Sequence, residues 1–371
     1  MIQASNIKHG RSKLMHSPIT IGTSTTLTAT NFPPKRKTLA IGLYYFQFYS
    51  DGVNMGYRTR LISGGVWSGF TAIRACISGD MFSVRYYNYL GVDYVYYAYS
   101  LGITNNALKF CRGTVAGALI AWGAEVDAAV ASLLFSYRYP DVEVATNGHV
   151  FVGHCRTLAN GLSHDCRVSR NAFNDGSGPW SATLLYSGAA GVGSDYWNVG
   201  LVRLQNTRVY CAASFTTAAL ALKGWLYDFA TGGWGAQENI DTEGALIYIP
   251  YLKKFGMVAN GDDVAVGFTE DVTYNKLFRY RTYATSTWES YETIFNAGGS
   301  SSYDGAVHLG IDLTTSKYLA IWVRDGRTPN SKIQYCIRSA SVWGSVVTWI
   351  TNESYIGKER ISIMEQALNS R

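Results

Sequence analysis

The sequence predicts an all-β fold, a six-bladed propeller with four-stranded blades, and three observations predict it. Six tryptophans, Trp67, Trp122, Trp180, Trp234, Trp288 and Trp343, recur at intervals of 55, 58, 54, 54 and 55 residues. An alternating apolar run keeps the same beat, at 39–43, 94–99, 149–153, 208–212, 263–267 and 317–322. The composition agrees: 27 Tyr and 38 Gly in 371 residues, with 14 % aromatic and only 16 % charged, describe a tyrosine-rich, turn-rich β protein. Self-similarity at a period slightly above that of known propeller blades reads as repeated sheets, none of which buries both faces alone.

The fifth copy shows the element order most clearly. Tyr248 to Val258 alternates toward the turn Asn260-Gly261-Asp262, Val264 to Thr269 runs back, and Leu277 to Tyr283 returns after a polar loop. The turn Ala284-Thr285-Ser286-Thr287 then leads to Trp288 and a last strand through Phe295. Other copies repeat the third strand and its tryptophan: Tyr57-Arg58-Thr59-Arg60 before Trp67, Cys166 to Arg170 before Trp180, Gln334 to Arg338 before Trp343. The second copy departs, with a longer apolar stretch from Arg112 to Ala121. Each tryptophan ring is large enough to pack between neighbouring sheets.

The first copy reads as beginning at its second strand, near Thr38. The inner strands of the other five open on an aromatic, Phe82, Tyr139, Tyr196, Tyr251 and Tyr303, and Tyr355 continues the spacing. Tyr355 to Met364 is therefore expected to supply the missing inner strand of the first blade, closing the ring from the C-terminus and removing a free edge. The domain division that follows is an N-terminal arm at 1–34, available for docking onto a partner, and a propeller at 35–371. Deleting 352–371 is expected to open the ring.

Composition narrows the partners. The net charge of +6 is modest, and its densest run, Lys35-Arg36-Lys37, sits at an element boundary where a solvated face is the ordinary reading, so no nucleic-acid partner is expected. No apolar leader follows the early basic residues, and no stretch approaches the ~18 apolar residues of a membrane span, so no membrane insertion is expected. The six cysteines lack paired ligand spacing, and no metal or cofactor is expected. Cys155 and Cys166 lie on two runs joined by Ala159-Asn160-Gly161 and face each other across a hairpin, as two thiols or as a disulfide. His154 and His164 flank that hairpin, but alternation puts His154 and Cys155 on opposite faces.

The repeated hairpin, Tyr-Arg or Cys-Arg, a short polar turn, then Trp-Ser or Trp-Gly, resembles the bacterial-neuraminidase-type repeat of sialidase-like six-bladed propellers over roughly 38–364. The copy most similar to that family's Asp box is Ser169 through Asn174-Asp175-Gly176-Ser177-Gly178-Pro179-Trp180, at expanded spacing. The other copies lack the aspartate: Ser63-Gly64-Gly65-Val66-Trp67, Ala230-Thr231-Gly232-Gly233-Trp234, Ser286-Thr287-Trp288 and Ala340-Ser341-Val342-Trp343. The style also resembles uncharacterised propellers of viruses and environmental microbes. For the sialidase family the resemblance implies an arginine triad, a Tyr nucleophile with its Glu, and an Asp acid/base. The family's early Arg-Ile-Pro motif is absent. Arg85, Arg138, Arg156 and Arg324 lie on or near inner strands, and nothing in the sequence assembles three of them with a Tyr-Glu pair.

A two-carboxylate glycosidase has candidates in Asp80, Asp141, Asp195 and Asp304 near inner-strand starts, where aspartate is commonly a turn former. No GxSxG elbow is present, and the Gly-rich 188–193 stretch precedes no helix. The feature with most functional content is the ring of Phe82, Tyr139, Tyr196, Tyr251, Tyr303 and Tyr355, with Trp197 beside Tyr196, at one end of the axial channel. Aromatic faces stack on sugars, and they also fill a narrowing core. Three functions follow in order: a non-enzymatic recognition module of a virus particle or cell surface, binding a glycan or surface receptor; a structural or assembly protein contacting other virion or surface proteins through 1–34; and a glycoside hydrolase.

Overall fold

In a computed structural model the described residues are 2–4, 19–22, 37–75, 81–101, 105–158, 163–189, 198–216, 220–242, 255–270, 275–297, 306–324 and 331–353. They form an all-β, six-bladed propeller whose blades hold four or five antiparallel strands. A short hairpin, β1 (Ile2–Ala4) with β2 (Ile19–Gly22), precedes it. The blades run in chain order, each a meander from inner to outer edge. The first blade is β3 (Thr38–Ile41), β4 (Tyr44–Ser50), β5 (Asn54–Leu61) and β6 (Thr71–Ala75). The second is β7 (Met81–Tyr89), β8 (Val92–Ser100), β9 (Leu108–Ala116), β10 (Leu119–Trp122) and β11 (Val126–Ala129). The third is β12 (Phe135–Val144), β13 (Val150–Leu158), β14 (Ser163–Asn171) and β15 (Ser181–Ala189).

The fourth blade comprises β16 (Asn198–Arg203), β17 (Arg208–Thr216), β18 (Leu220–Asp228), β19 (Gly233–Trp234) and β20 (Glu238–Thr242). The fifth comprises β21 (Phe255–Asn260), β22 (Asp263–Thr269), β23 (Lys276–Thr282), β24 (Thr287–Trp288) and β25 (Glu292–Phe295). The sixth comprises β26 (His308–Asp312), β27 (Lys317–Arg324), β28 (Ser331–Ser339), β29 (Val342–Trp343) and β30 (Val347–Glu353). The fifth strand of a blade is an interruption. Just after the tryptophan the outer strand breaks and rejoins the same neighbour, so β19 and β20 both pair β18, β24 and β25 both pair β23.

Turn chemistry sets the register. Asn206 and Thr207 both take positive φ, 52° and 58°, and Ala340 and Ser341 take 49° and 65°, the two-residue hairpin geometry that matches strand twist. The first blade differs from the sequence expectation. Gly42, at φ 56°, turns the chain directly after Ile41, so 39–43 is an inner strand and its turn, while the second strand is Tyr44–Ser50. The apolar run there is one strand out of phase with its counterparts, because short alternating segments look alike whichever strand they form. β3 thus heads the first sheet, the place that the sequence reading gave to Tyr355–Met364; those residues lie outside the described ones.

Five successive interfaces between blades each carry a separate apolar core. The tryptophans cap these cores on the preceding blade. Trp180 packs edge-on against Phe110 at 5.3 Å, Trp288 against Tyr210 at 6.0 Å and Trp343 against Phe278 at 5.3 Å. Nearer the axis, two buried carboxylates of β12 tie three inner strands together. Asp141 accepts from the Ser83 hydroxyl at 2.7 Å and from the Leu201 N–H at 2.8 Å. Glu143, fully buried, is bonded by Arg85 at 2.6 and 2.8 Å and by the Arg203 N–H at 3.0 Å. An inner strand has no neighbour on its axial side, and these side chains satisfy donors that a ladder would otherwise take.

Candidate functional site: the cleft between the third and fourth blades

Three blade interfaces share a design whose differences define the site. Tyr227, Arg281 and Arg338 hold one place in the fourth, fifth and sixth blades, each cross-strand from its tryptophan, Trp234, Trp288 or Trp343. In the fourth-to-fifth cleft, Arg281 reaches back to Glu238 with two bonds of 2.7 Å, and the same carboxylate accepts from the Trp288 indole at 3.0 Å and the Tyr210 hydroxyl at 2.8 Å. Burial first, and then the Glu238 carboxylate, hold the Tyr210 hydroxyl well above its usual range, so it remains a donor. In the fifth-to-sixth cleft, Arg338 grips Glu292 at 2.6 and 2.7 Å, beneath Phe278 and Trp343. A planar guanidinium fits a carboxylate through two parallel bonds, so both clefts are closed by an internal ion pair.

The third-to-fourth cleft is open. Glu238 and Glu292 stand opposite Gly224 and Phe278; the residue in the matching place of the third blade is Thr183, opposite Val168. Gly224, Phe278 and Val168 correspond because they face Ala212, Gly267 and Gly153, each three residues after the first core valine of the second strand. With no carboxylate there, a cavity of about 510 Å³ remains, lined by Arg170, Thr183, Trp225, Tyr227, Trp234 and the Gly232-Gly233 turn. Arg170 reaches the cleft because it is cross-strand from Phe151, whose ring belongs to the core between these blades. Its guanidinium donates to the Tyr227 hydroxyl and lies 5.4 Å from that ring's centre. Tyr227 is fixed edge-on by Phe151, Phe229 and Trp234 at 5.2, 4.9 and 5.2 Å.

The loop between β14 and β15 is built from its own side chains. The Asn171 carboxamide donates to Gly178 O at 2.6 Å and Gly176 O at 3.1 Å and accepts from the Phe173 N–H at 2.8 Å. Asp175 accepts from the Ser177 N–H and hydroxyl, which hold its carboxyl below the usual range, and the Trp180 indole donates to Gly176 O at 3.2 Å. Asp175 is a turn former, and its loop anchors Trp180 on the second blade.

Of the seven residues expected at the axial mouth, Tyr196, Trp197, Tyr251, Tyr303 and Tyr355 lie outside the described residues. Phe82 and Tyr139 do not occupy matching faces. Phe82 is 3 % exposed, packs against Tyr97 at 6.0 Å between the first and second blades, and lies under the Lys37 ammonium. Tyr139 is half-buried against the core between the third and fourth blades. It sits at a bulge in β12 with φ 54°, in the left-handed region that a bulky residue rarely adopts. Among the arginines, Arg85 is spent on Glu143, Arg156 on Asp165 at 2.6 Å, and Arg324 lies over Phe295. Arg156 and Arg324 are on second strands, β13 and β27. Asp141 is the described member of the aspartate set, and it serves the inner-strand tie. Cys155 and Cys166 do face each other, as buried thiols with their sulfurs 3.9 Å apart.

Sequence reasoning assigned Trp234 to packing and missed Arg170, Tyr227 and Thr183. The signal was present: glutamate follows Trp234 and Trp288 by four residues, arginine precedes Trp288 and Trp343, and the third copy breaks the pattern.

The chain matches no protein-family model and no curated protein. Among solved structures it is similar to an arginine-substituted mutant of AofleA from Arthrobotrys oligospora, with a TM-score of 0.51 and 12 % identity over 87 % of this chain and 88 % of that one. It is similar to an ulvan lyase of polysaccharide lyase family 25 bound to a GlcA(1-4)Rha3S saccharide, with a TM-score of 0.52 and 9 % identity over 90 % and 86 %. The Aleuria aurantia lectin in complex with Fucα1-6GlcNAc aligns at 0.47 with 13 % identity, over 86 % and 97 %. Sialidase and glycoside hydrolase propellers are further neighbours. Identities this low show a shared fold.

Proposed function

We propose that the protein is a non-enzymatic glycan-recognition module that binds a saccharide in the cleft between its third and fourth blades. The observation that carries this reading is the open cleft itself: a cavity of about 510 Å³ bounded by Trp234, Tyr227 and Arg170, where the next two interfaces along the chain are closed by ion pairs. Its size suits one or two sugar rings, aromatic faces stack on their apolar faces, and a guanidinium with two flanking hydroxyls supplies directional bonds. The described inner-strand carboxylates Asp141 and Glu143 are engaged in structural bonds. A role in attachment at a particle or cell surface, with 1–34 as the docking arm, is the setting we propose for such a module.

A glycan array with the intact protein and Trp234→Ala tests the recognition reading. Trp234→Ala is expected to lose at least tenfold in affinity for the saccharides retained by the parent. If the parent retains no saccharide at millimolar concentration, the recognition reading fails.

A further inference from the structure

The interface between the third and fourth blades differs from its two successors in charge as well as in space. Arg281 and Arg338 are each neutralised by a carboxylate of the preceding blade. At the third-to-fourth interface the arginine comes from the preceding blade, the place opposite it in the next blade is the uncharged Tyr227, and the carboxylate's place is Thr183. Among the described residues Arg170 has no acidic partner, and its one hydrogen-bond acceptor is the Tyr227 hydroxyl. Five N–H donors in a rigid fork therefore have most of their capacity left for something that enters the cleft. Burial first, and then the Arg170 charge, lower the proton affinity of His149. A guanidinium with no carboxylate partner keeps its paired N–H donors for a carboxylate or sulfate that enters the cleft.

We propose that the cleft selects an acidic saccharide, with the ligand's carboxylate or sulfate ester paired to the Arg170 fork and its ring stacked on Trp234. This rests on the glycan-binding reading of the cleft and adds the ligand's chemical class. The ligand anion takes the room that Glu238 and Glu292 fill in the next two clefts, and Arg170 of the preceding blade meets it where Tyr227 stands in the repeat's arginine place. Thr183, exposed at the rim, gives the room that a glutamate would fill.

Titration calorimetry on the full chain with methyl β-glucuronide, methyl glucoside 6-sulfate and methyl glucoside tests it, the first two separating a carboxylate from a sulfate source. At least one acidic glycoside is expected to bind ten times tighter than the neutral one, and the difference is expected to shrink at high salt. Arg170→Ala and Thr183→Glu are each expected to abolish that preference, the second by supplying the missing internal carboxylate; thermal melts of both variants confirm folding, and Arg170→Lys, which keeps the charge without the fork, is expected to retain part of it. Equal affinity for acidic and neutral glycosides, or a preference that survives Arg170→Ala, overturns the proposal and leaves sugar binding standing. No binding of any of the three overturns both.

Discussion

At the scale of single residues, this propeller uses charged and polar side chains mainly as internal fasteners, and burial decides how they titrate. His154 is 1 % exposed, edge-on to Tyr137, with its Nδ1 3.3 Å from Val152 O. Burial pushes its pKa down to about 4, against which the Val152 carbonyl and Asp165 pull upward, and Arg167 and Arg156 pull down. The unfolded chain, with histidine near 6.5, binds the proton that the folded chain refuses between roughly pH 6.5 and 4, so stability is full above that window and falls as pH drops through it. A loss of the order of 3 kcal/mol is expected from this group across the window. Urea titrations at pH 7 and pH 4.5 check it: His154→Phe should flatten that part of the pH dependence, and an unchanged slope would place the acid sensitivity elsewhere.

At the scale of elements, the inner strands depend on side chains for what a sheet edge lacks. Asp141 holds the Ser83 hydroxyl and the Leu201 N–H at once, joining β7, β12 and β16. Asp141→Ala strands both donors in a buried setting and is expected to cost about 3 kcal/mol, read as a lower urea midpoint with an unchanged slope. Asp141→Asn, which keeps one acceptor, should recover part of the loss. Were the alanine variant as stable as the parent, the tie would be incidental to the packing of the inner strands. The outer elements obey a different constraint, close approach: a Cβ on Gly224 would meet the Tyr210 oxygen at 1.9 Å, so this β18 position must remain glycine for the Tyr210 ring to lie under Glu238.

At the scale of the whole molecule, separate cores between successive blades make stability a sum over neighbours. Asp141→Ala acts on the second, third and fourth blades, and Glu292→Ala on the fifth-to-sixth clip with Arg338. These sites share no partner, so the double variant is expected to lose the sum of the two single losses to within about 0.5 kcal/mol. A larger discrepancy would mean that the blades communicate around the ring. The same additivity lets one cleft be open while the next two along the chain are clipped shut, since a vacancy at one interface does not propagate to the next.

The sequence by itself determined the number of blades and the strand order within them, because a period of about 55 residues marked by Trp67 to Trp343 is a one-dimensional signal that stacking repeats turns directly into architecture. It also showed Cys155 and Cys166 opposite one another, since a hairpin's register follows from local turn and alternation. Tertiary structure decided the rest. Whether Leu39–Ile41 is a first or second strand depends on which partner it finds, and Phe82 and Tyr139, alike in spacing, turn to different blades because a bulge in β12 shifts the alternation. Above all, the pairing of Arg281 with Glu238 and of Arg170 with the Tyr227 hydroxyl joins side chains that lie tens of residues apart on facing sheets, so the offsets of Glu and Arg from each tryptophan become a pairing only once the sheets are placed.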